Sequence, residues 1–251
     1  MLCGSLPKGY PRHPSMALKK KLNFLWTLAL YLIATRLPKA FGNDLPRVPS
    51  ILDPKFIDAF LNIHNELRRK VQPPAADMNQ VIWDQKLAKL AKAWTRECKL
   101  GHNPCTSKQY GCLLDYDFIG ENIYLGEIET QPEDVVNNWY NENTDYNFVD
   151  NTCSKICRNY TQLVWAKTFK IGCAVSNCPN LTRYSAGLFV CNYSPTGNFL
   201  DFRPYRKGDP CSMCGQRKCE NSLCRPMNRK TPHQKAACHV LVLGFILQRL
   251  L

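Results

Sequence analysis

Apolar residues recur at helical spacing in the first half of the chain and in short, turn-bounded runs in the second. Phe56, Phe60, Ile63 and Leu67 follow Asp53-Pro54, an acid suited to an N-cap with proline at the first helical position. This pattern predicts an amphipathic helix over 54–70, stopped by Gln72-Pro-Pro-Ala75. A second helix is expected over about 84–98, with Leu87, Leu90, Ala91, Trp94 and Cys98 on one face. A third starts near Pro132 and buries Val135, Val136, Trp139 and Tyr140. After Cys157 the period changes. Tyr160–Trp165, Ile171–Val175 and Gly187–Tyr193 read as short β-rich runs bounded by turn residues. Helices first and a meander later predict an α+β domain, with helices covering an antiparallel sheet.

Two further apolar runs bracket this domain. Met16-Ala-Leu-Lys-Lys-Lys21 is a basic start, Leu22–Ala34 is almost wholly apolar, and Ala40-Phe41-Gly42 offers small residues for cleavage. This order is that of a secretory signal, and the run is too short to span a bilayer. The second run is Val240–Leu247, preceded by Ala236-Ala237-Cys238. Small residues followed by an apolar end suit a GPI-attachment signal, with Ala236 as the attachment residue. A tail helix packed on the domain and a loose membrane-associated tail are the other uses of such a run. The expected organisation is an extension and signal peptide at 1–42, the main domain at 43–208, a four-cysteine segment at 209–227, and a linker with the attachment signal at 228–251.

The chain has 14 cysteines. Reducing cytosol would not keep such a set as bridges, so the chain suits an oxidising compartment. Cys211, Cys214, Cys219 and Cys224 crowd into 14 residues, too few for a core of their own, and read as a small disulfide-stapled knot. Cys-x2-Cys followed by Cys-x4-Cys can also hold zinc, but the export signal favours bridges. The formal net charge of +13 is concentrated at the ends. Residues 43–230 carry 24 Lys and Arg against 20 Asp and Glu, a net of +4. No basic stripe is interleaved with aromatics, so nucleic acid is not an expected partner.

Six segments then carry a resemblance. They are His64-Asn-Glu-Leu-Arg68, Gly120-Glu-Asn122-Ile-Tyr124, Trp139-Tyr-Asn-Glu142, Tyr160-Thr-Gln-Leu-Val-Trp165, Gly172-Cys-Ala-Val175, and Val190-Cys-Asn-Tyr193 with Gly197-Asn198. In this order they resemble the CAP superfamily of cysteine-rich secretory, antigen 5 and pathogenesis-related 1 proteins, over about 55–208. Within it, the chain most resembles the short testis-type glioma pathogenesis-related-like proteins, whose tail is a GPI signal. The knot is similar to the family's hinge. The resemblance implies an α-β-α sandwich. It also implies the pairs Cys98–Cys178, Cys173–Cys191, Cys211–Cys219 and Cys214–Cys224, with Cys153–Cys157 as a plausible local pair and Cys105–Cys112 left over.

It further implies a cleft of two histidines and two glutamates. Two neutral imidazoles can coordinate a divalent ion, and nearby carboxylates can orient a water or hold the ring. The corresponding residues are His102, Glu121 and Glu142, with Gln162 in the neighbouring motif. The second histidine should stand directly before Tyr160, and this chain has Asn159 there. An amide carbonyl is a poor zinc ligand beside imidazole, so no cofactor is expected and the zinc site reads as incomplete. His64 belongs to the first-helix motif and reads as a packed, hydrogen-bonded histidine. Glu121 has two readings, a ligand contact or a holder of buried backbone groups. Asn159-Tyr-Thr161 is also a sequon, on a run expected to be a strand lining the cleft. Asn180-Leu-Thr182 is the better glycosylation site, and Asn192-Tyr-Ser194 is weakened by Pro195.

No Gly-x-Ser-x-Gly elbow and no His-Glu-x-x-His is present, so no catalytic residue is assigned. The expected function is non-enzymatic recognition of an extracellular protein or glycan at a cell surface. The testis-type resemblance points to sperm and gamete binding. Sterol or lipid carriage, which some members of the superfamily perform, is the alternative.

Overall fold

A computed structural model describes residues 16–36, 48–182 and 186–226. Ala236 and the expected attachment signal lie outside the described residues, as do Cys3 and Cys238. The chain divides into two units, Met1–Arg47 and Val48–Leu251. In the first, Met16–Arg36 forms one helix, α1. Among the described residues no helix is long and apolar enough to cross a membrane.

The second unit is built on a four-stranded sheet. Its helices are α2 (Pro54–Arg69), α3 (Gln85–Arg96), α4 (Pro132–Tyr140) and α5 (Arg158–Leu163). Its strands are β1 (Ile82–Trp83), β2 (Gly120–Glu127), β3 (Tyr146–Asn147), β4 (Thr152–Cys153), β5 (Lys170–Asn177), β6 (Ala186–Ser194), β7 (Cys219–Glu220) and β8 (Leu223–Cys224). The sheet order is β1-β5-β6-β2, and β3-β4 and β7-β8 are separate two-stranded ribbons.

Local chemistry explains the three long helices. Asp53 caps α2 by accepting from Lys55 N at 3.0 Å, and Pro54 sits where its missing N–H is not needed. Asp84 caps α3 by accepting from Lys86 N and Leu87 N. Cys98 falls just outside α3, because its φ of 49° has left the helical region. Val135, Val136 and Trp139 of α4 are fully buried.

α2, α4 and α5 pack with one large core cluster that takes in Phe60, Trp139, Leu163, Ile171 and Tyr193. α3 covers the opposite side through Ala91 against Ala174, Leu188 and Val190. The result is an α-β-α sandwich. Gly172 lets α3 lie directly on β5, since a Cβ there would stand 2.1 Å from Ala88 N.

Two expectations need correction. The sheet is mixed rather than wholly antiparallel. β2 and β5 flank β6 antiparallel, but β1 joins β5 in parallel, and β2 comes from the helical half of the chain. The run Tyr160–Trp165 is not a strand either. Its first four residues lie in the one-and-a-half-turn helix α5, for a reason that lies in the site described below.

Among the described residues six disulfides are present: Cys98–Cys178, Cys105–Cys112, Cys153–Cys157, Cys173–Cys191, Cys211–Cys219 and Cys214–Cys224. Cys173 and Cys191 face each other in register on β5 and β6. Cys98–Cys178 spans 80 residues and ties the end of α3 to the end of β5. In the loop-closure picture such a bridge is worth about 4–5 kcal/mol. The 211–224 knot does not hang free. Met213 N donates to Ala76 O at 2.9 Å, Cys224 N to Met78 O at 2.8 Å, and Gln80 N to Cys224 O at 2.9 Å. Leu223 is buried in the main core.

Candidate cleft and its buried support

An open groove of about 410 Å³ runs between α5, the start of β2 and the loop after β6. His102, Glu121, Asn159 and Gln162 line it together with Arg158, Phe118 and Phe199. Glu142 does not line it and lies behind Asn159.

Glu142 stands in the 3-10 turn that follows α4. Its carboxylate accepts from Asn159 N at 2.9 Å, Tyr160 N at 3.0 Å and Asn159 Nδ2 at 2.6 Å. A carboxylate on the free N–H groups of a first turn is a cap supplied from elsewhere in the chain. That contact supports a helix over 158–163, where the β-rich run 160–165 suggests a strand. The family sequence pattern could name Glu142, but nothing near position 160 announces the cap.

Glu121 is on β2 and its side chain is only 1% exposed. It accepts from Asn103 N at 2.9 Å and from His102 Nδ1 at 3.0 Å. Asn192 lies across from it in register on β6. With the Asn192 amide oriented to satisfy both its ends, Nδ2 donates to Glu121 Oε2 at 3.3 Å and its oxygen accepts from Ala91 N at 3.1 Å. The two readings of Glu121 therefore meet in one residue: it holds buried groups and also fixes the His102 ring. That ring is 69% exposed at the rim. Because a carboxylate only accepts, Nδ1 carries the proton and Nε2 faces away from the bond.

Gln162 is buried. Its Oε1 accepts from Gly197 N at 2.7 Å and its Nε2 donates to Thr168 Oγ1 at 3.3 Å. It presses against Gly120, where a Cβ would lie 2.1 Å from Oε1. Gln162 thus stitches the 195–198 loop to α5.

The donor set does not fit a zinc ion. One imidazole is present, its Nδ1 is bonded to Glu121, and the position of the second imidazole holds an amide whose nitrogen donates to Glu142. Both carboxylates already accept several N–H groups.

Beneath the groove lies a polar core. His64 Nδ1 donates to Phe60 O at 2.7 Å, which leaves Nε2 to accept from the Tyr193 hydroxyl at 2.9 Å. Tyr193 in turn accepts from Asn122 Nδ2 at 3.3 Å, and Asn122 Nδ2 also donates to Asn159 O at 2.9 Å. Burial pushes the His64 pKa down to about 3, so the ring is neutral at physiological pH. Arg68 is fully buried and lies one helical turn from His64. Its guanidinium donates to the carbonyls of Asn79, Leu163, Trp165 and Thr168 at 2.8–3.0 Å. Burial lowers its pKa to about 9, still charged at neutral pH. The role of Arg68 was not foreseen from the sequence, although the spacing of Phe60, His64 and Arg68 places it on the apolar face of α2.

The model of the CAP family, described as the cysteine-rich secretory protein family, matches residues 61–193. The chain belongs to the CAP family. This CAP chain is 82% identical over 236 residues to GLIPR1-like protein 1 of Mus musculus, covering 94% of this chain and all of the relative. It is 45% identical over 249 residues to GLIPR1-like protein 1 of Homo sapiens, with the same coverage. The solved structure of Schistosoma mansoni venom allergen-like protein 4 is 32% identical. It superposes with a TM-score of 0.53 over 64% of this chain and 99% of that one. The chain is thus a GLIPR1-like member of a secretory family.

The three sequons of this CAP chain differ sharply in setting. Asn180 is exposed in the turn after Cys178. Asn192 is fully buried in β6, and the amide of Asn159 is bonded to Glu142.

Proposed function

We propose that this CAP protein is a non-enzymatic recognition module displayed at a cell surface, with the groove as its contact site. The observation that carries the reading is the state of Glu121 and Glu142. For either glutamate to act as a general base or a metal ligand, it needs free lone pairs facing the reactant. Here each carboxylate is held by N–H donors of its own chain, and Asn159 stands where a second imidazole would be. A rigid frame stapled by six bridges suits presentation of a fixed surface. The resemblance to the short testis-type glioma pathogenesis-related-like proteins favours a sperm surface and a gamete-binding role. Attachment through a GPI anchor at Ala236 would hold the domain at the outer leaflet, and the partner is an extracellular protein or glycan.

Two measurements test this reading. The processed ectodomain, labelled and applied to gametes and other cells, is expected to bind saturably whether or not a chelator is present. Absence of binding to every surface overturns the proposal. Calorimetric zinc titration of wild type is expected to be silent, with binding regained in Asn159→His. Micromolar zinc binding by wild type overturns the ligand argument.

Lipid carriage is a second reading with an observation of its own. A neighbouring groove of about 480 Å³ presents Tyr146, Ile156, Trp165, Leu200 and Phe202 together. Displacement of a labelled sterol from the purified protein supports it, and absence of sterol uptake removes it.

A further inference from the structure

We infer that the groove recognises an acidic sugar, a pyranose ring carrying a carboxylate or sulfate, with Arg158 as the anion-binding residue. This rests on the reading of the groove as a recognition site and names its ligand class.

The first argument is charge. The charged side chains lining the groove are Arg158 and Glu121, with the imidazole of His102 beside them. Glu121 is buried and already accepts from His102, Asn103 and Asn192. Glu142 is turned onto the first turn of α5. Arg158 differs from both. It is exposed, and its guanidinium has no acceptor among the described residues, although its own carbonyl is fixed by Asn198 Nδ2 at 2.9 Å. The accessible formal charge of the groove is therefore positive, on a backbone that is held in place. A planar guanidinium pairs with a carboxylate or sulfate through two parallel N–H···O bonds.

The second argument is shape. Phe118 and Phe199 keep 36% and 50% of their surfaces exposed and both line the groove. An exposed ring beside polar groups suits the C–H face of a sugar, which needs an apolar platform with hydrogen bonds around its edge. The groove's volume of about 410 Å³ lies in the small-ligand range.

The third argument is the residue that departs from the family pattern. The Asn159 amide is oriented by its 2.6 Å bond from Nδ2 to Glu142 Oε1. Its Oδ1 has no donor from the described residues, and Asn159 lines the groove. A histidine at this position would offer a ring nitrogen to a metal. Asparagine offers a fixed carbonyl, which accepts from a sugar hydroxyl. The substitution that removes a metal ligand thus supplies a hydroxyl acceptor next to the anion-binding arginine.

The test is binding of the full processed protein, freed of its own N-glycan, to sialyllactose, a sulfated heparin hexasaccharide and neutral lactose. At least one acidic sugar is expected to bind, and lactose at least about tenfold more weakly. The arm that binds identifies the source of the anion. Arg158→Ala is expected to weaken acidic-sugar binding at least about tenfold, with Arg158→Lys between the two, and to leave the melting temperature unchanged because no internal bond is lost. Asn159→Ala is expected to weaken it by a smaller factor. Failure of all acidic sugars to bind at millimolar concentration, or equal binding by Arg158→Ala, overturns the inference. If the ectodomain still binds cells in either case, the recognition reading stands and only the sugar assignment falls. If acidic sugars bind but no cell does, the ligand class stands and the cell-surface role falls.

Discussion

The core under the groove and the groove itself are assembled from the same kinds of residue, and burial gives them opposite roles. Both combine a histidine, an arginine and asparagines. In the core, His64 and Arg68 are sealed from water and their polar hydrogens find acceptors. In the groove, His102 and Arg158 are exposed, and only His102 is tied down. A dry network in which the histidine and the arginine are fully paired specifies one packing of α2 against β6 and the 163–168 turn. A wet and incompletely paired set leaves chemistry facing outward. Residue type therefore does not separate frame from site in this molecule; the number of internal partners and the access of water do.

The largest effect that could break this contrast is on Arg68. Arg68→Met leaves the buried carbonyls of Asn79, Leu163 and Thr168 without the donors they have here, and Trp165 O with Thr168 N alone. A loss of about 3–5 kcal/mol is expected in chemical denaturation, enough to lower secretion. A change below 1 kcal/mol would mean that water replaces the guanidinium and that the core is not dry.

The next effect is acid sensitivity. The folded pKa of His64 is about 3, below the unfolded value of 6.5. The unfolded chain therefore binds the extra proton first. The contribution of this group is fully present above pH 6.5 and is lost as pH falls from there toward 3. Its share of stability should fall by about 1.4 kcal/mol per pH unit in that window. Denaturation midpoints measured from pH 7 to 5, above most carboxylate titration, should show the slope in wild type and lose it in His64→Gln. Identical slopes would place the titrating group elsewhere.

The smallest effect sharpens the comparison from the other side. His102→Ala removes one exposed partner of Glu121, which keeps Asn103 N and Asn192. Stability should change by less than about 1 kcal/mol, while an equal loss to that of Arg68→Met would make His102 part of the frame.

Legibility in the sequence follows the same division. α2 and α3 were readable because caps and apolar spacing lie within a few residues of one another, and α4 because Pro132 opens its apolar run. The α-β-α architecture was readable through the family resemblance. α5 was not legible because the 160–165 run, with Tyr160, Thr161, Val164 and Trp165, reads as β-rich and its cap, Glu142, stands 17 residues before Asn159. β1 was missed because a two-residue strand has no period, and its place beside β5 depends on the fold. His102, Glu121, Glu142 and Asn159 could be named from motif positions. That Glu142 faces a helix end rather than the groove could not, nor could the free guanidinium of Arg158.

Residue order was enough to read a disulfide-rich CAP chain with an export-type leader pattern, the helices α2, α3 and α4, and the exchange of a cleft histidine for Asn159. Which polar groups find partners and which remain available was set by the closed fold. It joined His64 to Tyr193 across 129 residues, caged Arg68 with carbonyls up to 100 residues away, and stitched the cysteine knot to the 76–80 segment. The physical reason is that periodicity and capping are local, whereas desolvation and hydrogen-bond partnership depend on what the closed chain brings alongside.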